Sequence, residues 1–105
     1  MPFGEFQLKA TLLFEQELTS ALDYVETQLG NPQAADKLQD DVEAAVRERL
    51  RAPLAFESVP SRGDREHPYY RIYIGNYIVF YCVVGNVMEL RRFVYGKRNW
   101  RTLLK

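Results

Sequence analysis

The spacing of apolar residues along the chain runs from period two to the helical period and back, and each change falls at a residue that punctuates backbone structure. Between Glu5 and Ala10, Phe6, Leu8 and Ala10 alternate with Gln7 and Lys9, the mark of a short strand. Thr11 then stands where it can cap a helix. From Leu12 to Leu29 the apolar residues Phe14, Leu18, Leu22, Val25 and Leu29 recur at helical spacing, with Glu15, Glu17, Asp23 and Glu26 mostly off that stripe. Gly30-Asn31-Pro32 combines a glycine suited to the left-handed residue after a helix, an asparagine suited to capping the next, and a proline for its first position. A second helix from Pro32 to about Arg51 carries Ala35, Leu38, Val42, Ala45, Val46 and Leu50 on one side and Asp40, Asp41 and Glu43 on the other. Pro53 ends it, because a proline ring clashes within a continuing helix. Two helices with matching stripes and so short a link predict an antiparallel helical hairpin.

Residues 53–68 hold Pro53, Pro60, Gly63 and Pro68 and read as a loop, anchored at its start by Leu54 and Phe56. Three runs rich in β-branched and aromatic residues follow, from Tyr69 to Ile74, Tyr77 to Val84 and Val87 to Tyr95. The pairs Gly75-Asn76 and Gly85-Asn86 separate them with the chemistry of two-residue hairpin turns, which predicts an antiparallel meander. In that register Ile72 faces Val79, Arg71 faces Phe80, Tyr81 faces Leu90 and Phe80 faces Arg91. One face then collects Ile72, Ile74, Tyr77, Val79, Tyr81, Val83, Met88, Leu90 and Val94, and is expected to pack on the helices. Arg92, its one charge, is expected to snorkel to an edge or pair with a helix carboxylate. The other face collects Tyr69, Arg71, Tyr73, Ile78, Phe80, Cys82, Glu89, Arg91, Phe93 and Tyr95. On it Ile78, Phe80 and Phe93 would lie in water as an apolar patch, so a partner is expected to cover it. The alternative cover is the C-terminal segment, where Trp100, Leu103 and Leu104 have the spacing of a short helix. The expected fold is α+β: an N-terminal strand, an antiparallel helical hairpin packed on one face of an antiparallel meander, and a short C-terminal helix.

At 105 residues and 47% hydrophobic content the chain is long and apolar enough for one domain, residues 1–105, with its own core. Its apolar runs are too short for a membrane span and its N-terminus shows no basic region followed by an apolar stretch, so a cytoplasmic protein is expected. The single cysteine, Cys82, has no internal disulfide partner and lies within a strand pattern, which makes it a core or sheet residue. One Cys and one His leave no set of zinc ligands of these types. That histidine, His67, is either a surface loop residue or a group at the rim of a site. The zero net charge conceals a split: residues 1–60 carry five basic against eleven acidic residues, and residues 61–105 carry nine against three. From Arg91 onward there are six basic residues and no acid, a charge distribution that attracts polyanions or an acidic partner.

The succession of strand, helix, Gly-Asn-Pro-x-Ala-Ala, helix, loop, then Tyr-Arg-Ile-Tyr-Ile-Gly-Asn-Tyr-Ile-Val-Phe-Tyr and Leu-Arg-Arg-Phe-Val-Tyr-Gly-Lys-Arg-Asn-Trp resembles the RelE/ParE family of bacterial type II toxins. The resemblance covers nearly the whole chain, and its most specific parts are Tyr70–Tyr81 and Leu90–Leu104. It implies a growth-inhibiting toxin encoded beside an antitoxin that wraps and neutralises it, of the kind associated with plasmid stabilization. Tyr73, Ile78, Phe80 and Phe93 are the antitoxin contacts expected on the open face. RelE-like members act on the ribosome, where they cut mRNA without metal or cofactor; ParE-like members poison DNA gyrase and cut nothing themselves.

Cleavage of RNA needs help for the attacking 2′-hydroxyl, positive charge on the phosphate and a proton for the leaving oxygen. Carried over by position, Arg71 and Arg98 are phosphate clamps with Arg91 a third, and Tyr95 serves proton transfer or base stacking. Lys97 and Arg101 fall to RNA binding. Each also has a plainer reading: arginines stacked on Phe80, a strand-end tyrosine, charges on an exposed turn, and Trp100 as a packing anchor. Two departures count against RNA cleavage: Ile78 stands where RelE-like enzymes have arginine, and Leu104 where they have tyrosine. A ribosome-dependent mRNA interferase is the first expectation, a gyrase inhibitor that acts by binding the second, and a member that only binds its antitoxin the third.

Overall fold

The computed structural model describes residues 5–61 and 65–104; Gly63 of the expected loop and Lys105 of the basic tail lie outside them. The elements are β1 (Gln7–Ala10), α1 (Leu12–Asp23) with a π-helical turn (Tyr24–Gln28), α2 (Pro32–Leu50), β2 (Tyr70–Ile74), β3 (Tyr77–Val84), β4 (Val87–Tyr95) and a 3₁₀ turn (Trp100–Thr102). Thr11 caps α1 by accepting from the Phe14 N–H at 3.1 Å, and Asn31 caps α2 by accepting from the Ala34 N–H at 3.0 Å. Gly30 takes φ +62° between the helices, as the punctuation there requires. The single helix expected to Leu29 instead widens into a π turn at its end. There the Thr27 hydroxyl donates to the Asp23 carbonyl at 2.7 Å, competing for the acceptor that a regular helix offers the Thr27 N–H.

The four strands form one sheet in the order β1-β4-β3-β2, with β1 parallel to β4 and the other pairs antiparallel. Arg71 faces Phe80, Ile72 faces Val79 and Tyr81 faces Leu90, the register that the two Gly-Asn turns predict. Phe80, however, faces Arg92 rather than Arg91, because a bulge shifts the register between Phe80 and Tyr81. One extra residue reverses the alternation beyond it. Phe93, expected on the open face, therefore joins the helix-side core, where it stacks on Tyr77 at 5.0 Å and meets Phe14 edge-on at 6.1 Å. Val94, expected against the helices, moves to the other side.

β1 ends beside Leu90, and the start of α1 takes over the edge of β4 that it leaves. The Thr11 N–H donates to the Leu90 carbonyl at 2.9 Å and the Thr11 hydroxyl to the Arg91 carbonyl at 3.3 Å. The Glu17 carboxylate accepts the Phe93 N–H at 2.9 Å. The same carboxylate takes the Arg92 guanidinium at 2.6–3.2 Å, so Arg92 pairs with a helix acid as expected, although the bulge sets it opposite Phe80 rather than on the helix-side face. Arg92 reaches onward to donate to the Leu103 carbonyl at 2.8 Å, which ties α1, the bulge and the C-terminal segment together.

The helix-side core holds Phe14, Val42, Val46, Ile72, Val79, Tyr81, Met88 and Leu90 among others. The opposite face has a second core of Val59, Tyr69, Ile78, Phe80, Cys82, Val94, Trp100 and Leu104. This corrects the expectation of an open face: the chain's own C-terminal segment covers it, with Trp100 4.9 Å from Phe80. Ile78 is 3% exposed, Phe80 0% and Phe93 3%, so these three offer no surface to a partner in this fold. The cover is a single 3₁₀ turn rather than the short helix expected.

At the far end of the helix-side core, Arg49 on α2 donates to the Arg71 carbonyl at 3.1 Å and to the Tyr81 hydroxyl at 2.9 Å. Tyr81 in turn donates to the Pro53 carbonyl at 2.7 Å, and the Arg49 guanidinium lies 3.6 Å from the centre of the Phe56 ring. Tyr81→Phe strands the buried partners of that hydroxyl and is expected to cost about 1–3 kcal/mol in urea unfolding. Burial raises the Tyr81 pKa, which Arg49 only partly offsets. The unfolded chain therefore releases this proton first, and Tyr81's contribution is present below about pH 10 and lost as pH rises through the raised value. Tyr81→Phe should flatten that alkaline loss.

Candidate functional site

Two clefts meet at the end of the sheet where β2 turns into β3. The larger, about 890 Å³, lies between the helical hairpin and that turn, and Tyr24, Leu29, Leu38, Tyr77 and Tyr95 are among its walls. Leu29, read as part of the buried stripe, is 59% exposed there, because the helix end widens before it can press that residue onto the sheet. Tyr95, 43% exposed, meets Tyr77 edge-on at 5.7 Å and also lines the smaller cleft, where Glu17 and Arg98 join it. Burial pushes the Tyr77 phenol up from its usual range, with Tyr95 and Tyr24 adding to the shift.

The turn that presents Lys97 and Arg98 is built by close backbone approach. The Gly96 N–H donates to the Asn76 carbonyl at 2.7 Å, and the Arg98 N–H to the Tyr95 carbonyl at 3.0 Å. A Cβ on Gly96 would sit 3.2 Å from that Asn76 oxygen, tight enough to push the turns apart. Lys97, Arg98 and Arg101 are all exposed and, among the described residues, have no ion-pair partner. Arg101 lies over the Trp100 ring at 4.5 Å.

The candidate catalytic residues fall into separate places. Tyr95 and Arg98 share the smaller cleft. Arg71 is on the edge strand β2, its guanidinium 5.8 Å from the Tyr73 ring. Arg91 stands at the bulge, bound to Glu89 at 2.7 Å and 5.9 Å from the Tyr69 ring. Burial alone would lower its pKa, but the hydrogen bond to Glu89, with Cys82 and Tyr69 beside it, raises the net value. Its charge is thus largely answered within the fold. Cys82 is fully buried and its pKa is raised by desolvation, the behaviour of a core thiol rather than a nucleophile. The carbonyl of His67 accepts from that thiol at 3.5 Å, and its ring lies 3.8 Å from Glu66. Among the described residues no three His, Cys, Asp or Glu gather closely enough to hold a metal ion, and no helix is long and apolar enough to cross a membrane.

Residues 8–100 match the family model for the ParE toxin of the type II toxin-antitoxin system parDE. The chain belongs to this family of ParE toxins. Its fold is similar to the chromosomal ParDE toxin-antitoxin system of P. aeruginosa, at 17% identity and a TM-score of 0.70 over 88% of this chain and 97% of that one. It is also similar to the archaeal RelE-RelB complex of Pyrococcus horikoshii OT3, at 17% identity and a TM-score of 0.60 over 90% and 98% of the two chains. The E. coli DinJ-YafQ toxin-antitoxin complex matches at 9% identity and a TM-score of 0.57 over 96% and 99%. No curated protein sequence matches. As a ParE/RelE-like chain the protein is a toxin of a type II toxin-antitoxin system.

Proposed function

We propose that this ParE-family toxin inhibits growth by binding its target, DNA gyrase, without cutting RNA, and that a cognate antitoxin neutralises it. The observation that carries the reading is the dispersal of the candidate catalytic groups: Tyr95 and Arg98 share a cleft, while Arg91 is held by Glu89 and Arg71 stands on the outer strand. Phosphodiester cleavage needs its proton donors and phosphate clamps to converge on one reacting group, and each missing contact costs on the order of 10²-fold or more in rate. Ile78 and Leu104, which replace an arginine and a tyrosine of RelE-like enzymes, are both packed in the second core.

For the antitoxin, the larger cleft supplies what the closed sheet face does not: an apolar floor with tyrosines at its rim. A segment from the antitoxin would lie along it and past Tyr95 into the smaller cleft, where Arg98 would meet an acidic residue. Of the four contacts expected from the sequence, Tyr73, 64% exposed, is still accessible.

Induction of the protein in cells is expected to raise the SOS response and change plasmid supercoiling while messages stay whole by primer extension. Codon-phased cuts that disappear in Arg98→Ala, with supercoiling unchanged, would establish the ribosome-dependent interferase instead.

A further inference from the structure

On the face away from the helices, a cleft of about 470 Å³ is walled by Val59, Pro60, Arg65, Trp100, Arg101 and Leu104. Arg65 is half-buried, and its guanidinium lies 5.2 Å from the Tyr69 ring. Its Nη1 is buried and, among the described residues, has no hydrogen-bond acceptor; it is the one buried side-chain nitrogen or oxygen there in that state. Native folds rarely leave such a donor unanswered, and a charged guanidinium least of all. The neighbouring Arg91 has Glu89 at 2.7 Å, whereas Arg65 and Arg101 have no ion-pair partner among the described residues.

From this we infer that the Arg65 cleft is a second binding site, which takes the carboxylate of an acidic polypeptide segment. Arg65 Nη1 donates to the carboxylate and Arg101 supplies the second charge. The walls decide between a peptide and a nucleic acid. Val59, Pro60 and Leu104 are apolar and Ser61 and Thr102 are polar but uncharged, a lining that suits the side chains flanking an acid in a peptide better than a continuous phosphate backbone, which asks for cations along its length. Trp100, the natural stacking platform for a base, is 8% exposed, packed against Phe80 and covered by Arg101. The site lies on the sheet face opposite the hairpin cleft, so it stands whether or not that cleft receives the antitoxin.

Trp100 is the chain's single tryptophan, so its fluorescence reads this cleft directly. The full chain is titrated with a capped peptide carrying one Glu between leucines, with the same peptide carrying Gln, and with a single-stranded RNA oligonucleotide. The Glu peptide is expected to shift Trp100 emission saturably and to bind about tenfold or more tightly than the Gln peptide, the margin of a charge-assisted hydrogen bond. Arg65→Gln should erase that margin, since a neutral amide offers the carboxylate no charge. Arg65→Lys keeps the charge without the planar fork and should fall between the two; it also serves if Arg65→Gln does not fold. Equal binding of the two peptides overturns the inference, as does a margin that survives in both variants. Saturable RNA binding that depends on Arg65 overturns it in favour of a nucleic-acid site.

Discussion

Phe80→Ala is expected to lower the unfolding free energy by about 3–5 kcal/mol, a large share of what a domain of this size has to lose. Phe80 has no exposed surface and stands at the centre of the second core, 4.9 Å from Trp100 and 6.4 Å from Tyr69. Removing the ring takes away its own burial and also the pillar on which the C-terminal segment rests. Urea unfolding should show the full loss, and Trp100 emission should move to longer wavelength as the segment loosens. A cost under about 1 kcal/mol would mean that this face is not packed in the free chain, and that a partner, not the C-terminus, is its proper cover.

Glu17→Ala follows, with an expected loss of about 2–4 kcal/mol. Removing one member of a buried ion pair typically costs about 3–5 kcal/mol, and the slight exposure here lowers that figure. The Glu17 and Arg92 side chains are 17% and 15% exposed, and the hydrogen bond that Arg92 donates to Glu17 is the leading cause of the raised Arg92 pKa. Three consequences coincide in the one substitution: the guanidinium loses its carboxylate, the Phe93 N–H loses its acceptor, and the strut to Leu103 loses its anchor. Glu17→Gln keeps an acceptor for Phe93 and should recover part of the loss. The i,i+4 pair of Lys37 and Asp41 makes the contrast: at 75% and 47% exposure it is screened by water, and Asp41→Asn should leave the melting curve where it was.

The same two regions show what local pattern conveys about this fold and what it does not. Turn and cap residues act over three or four positions, so Thr11, Asn31, Gly75-Asn76 and Gly85-Asn86 are legible one by one, and with them the register as far as Leu90. The bulge is set by partners far along the chain: Glu17, 75 residues before Arg92, holds the strand where the alternation slips. Its one local trace is the Arg91-Arg92 pair, which puts Leu90 and Phe93 three apart although both face the helices. The closing of the second face turned on whether Trp100 and Leu104 come from the same chain or yield to a partner. Periodicity weighs both equally, and only the packing of Trp100 on Phe80 separates them.

For the site, Tyr95 and Arg98 were legible because one short turn joins them. The grouping of Arg71 and Arg91 with them assumed a flat, open sheet face, which the bulge and the C-terminal cover remove. Tyr24 and Leu29 acquire their place in the larger cleft from the π turn, which no stripe of apolar residues foretells. Arg65 had no motif to mark it; its interest comes from a buried nitrogen without an acceptor among the described residues.

Action by binding is tested most directly with purified components. The account predicts that the protein inhibits DNA supercoiling by purified gyrase at near-stoichiometric concentration, that its cognate antitoxin relieves the inhibition, and that message on translating ribosomes stays intact in a parallel reaction. Cut message at the ribosomal decoding site with gyrase unaffected would contradict it.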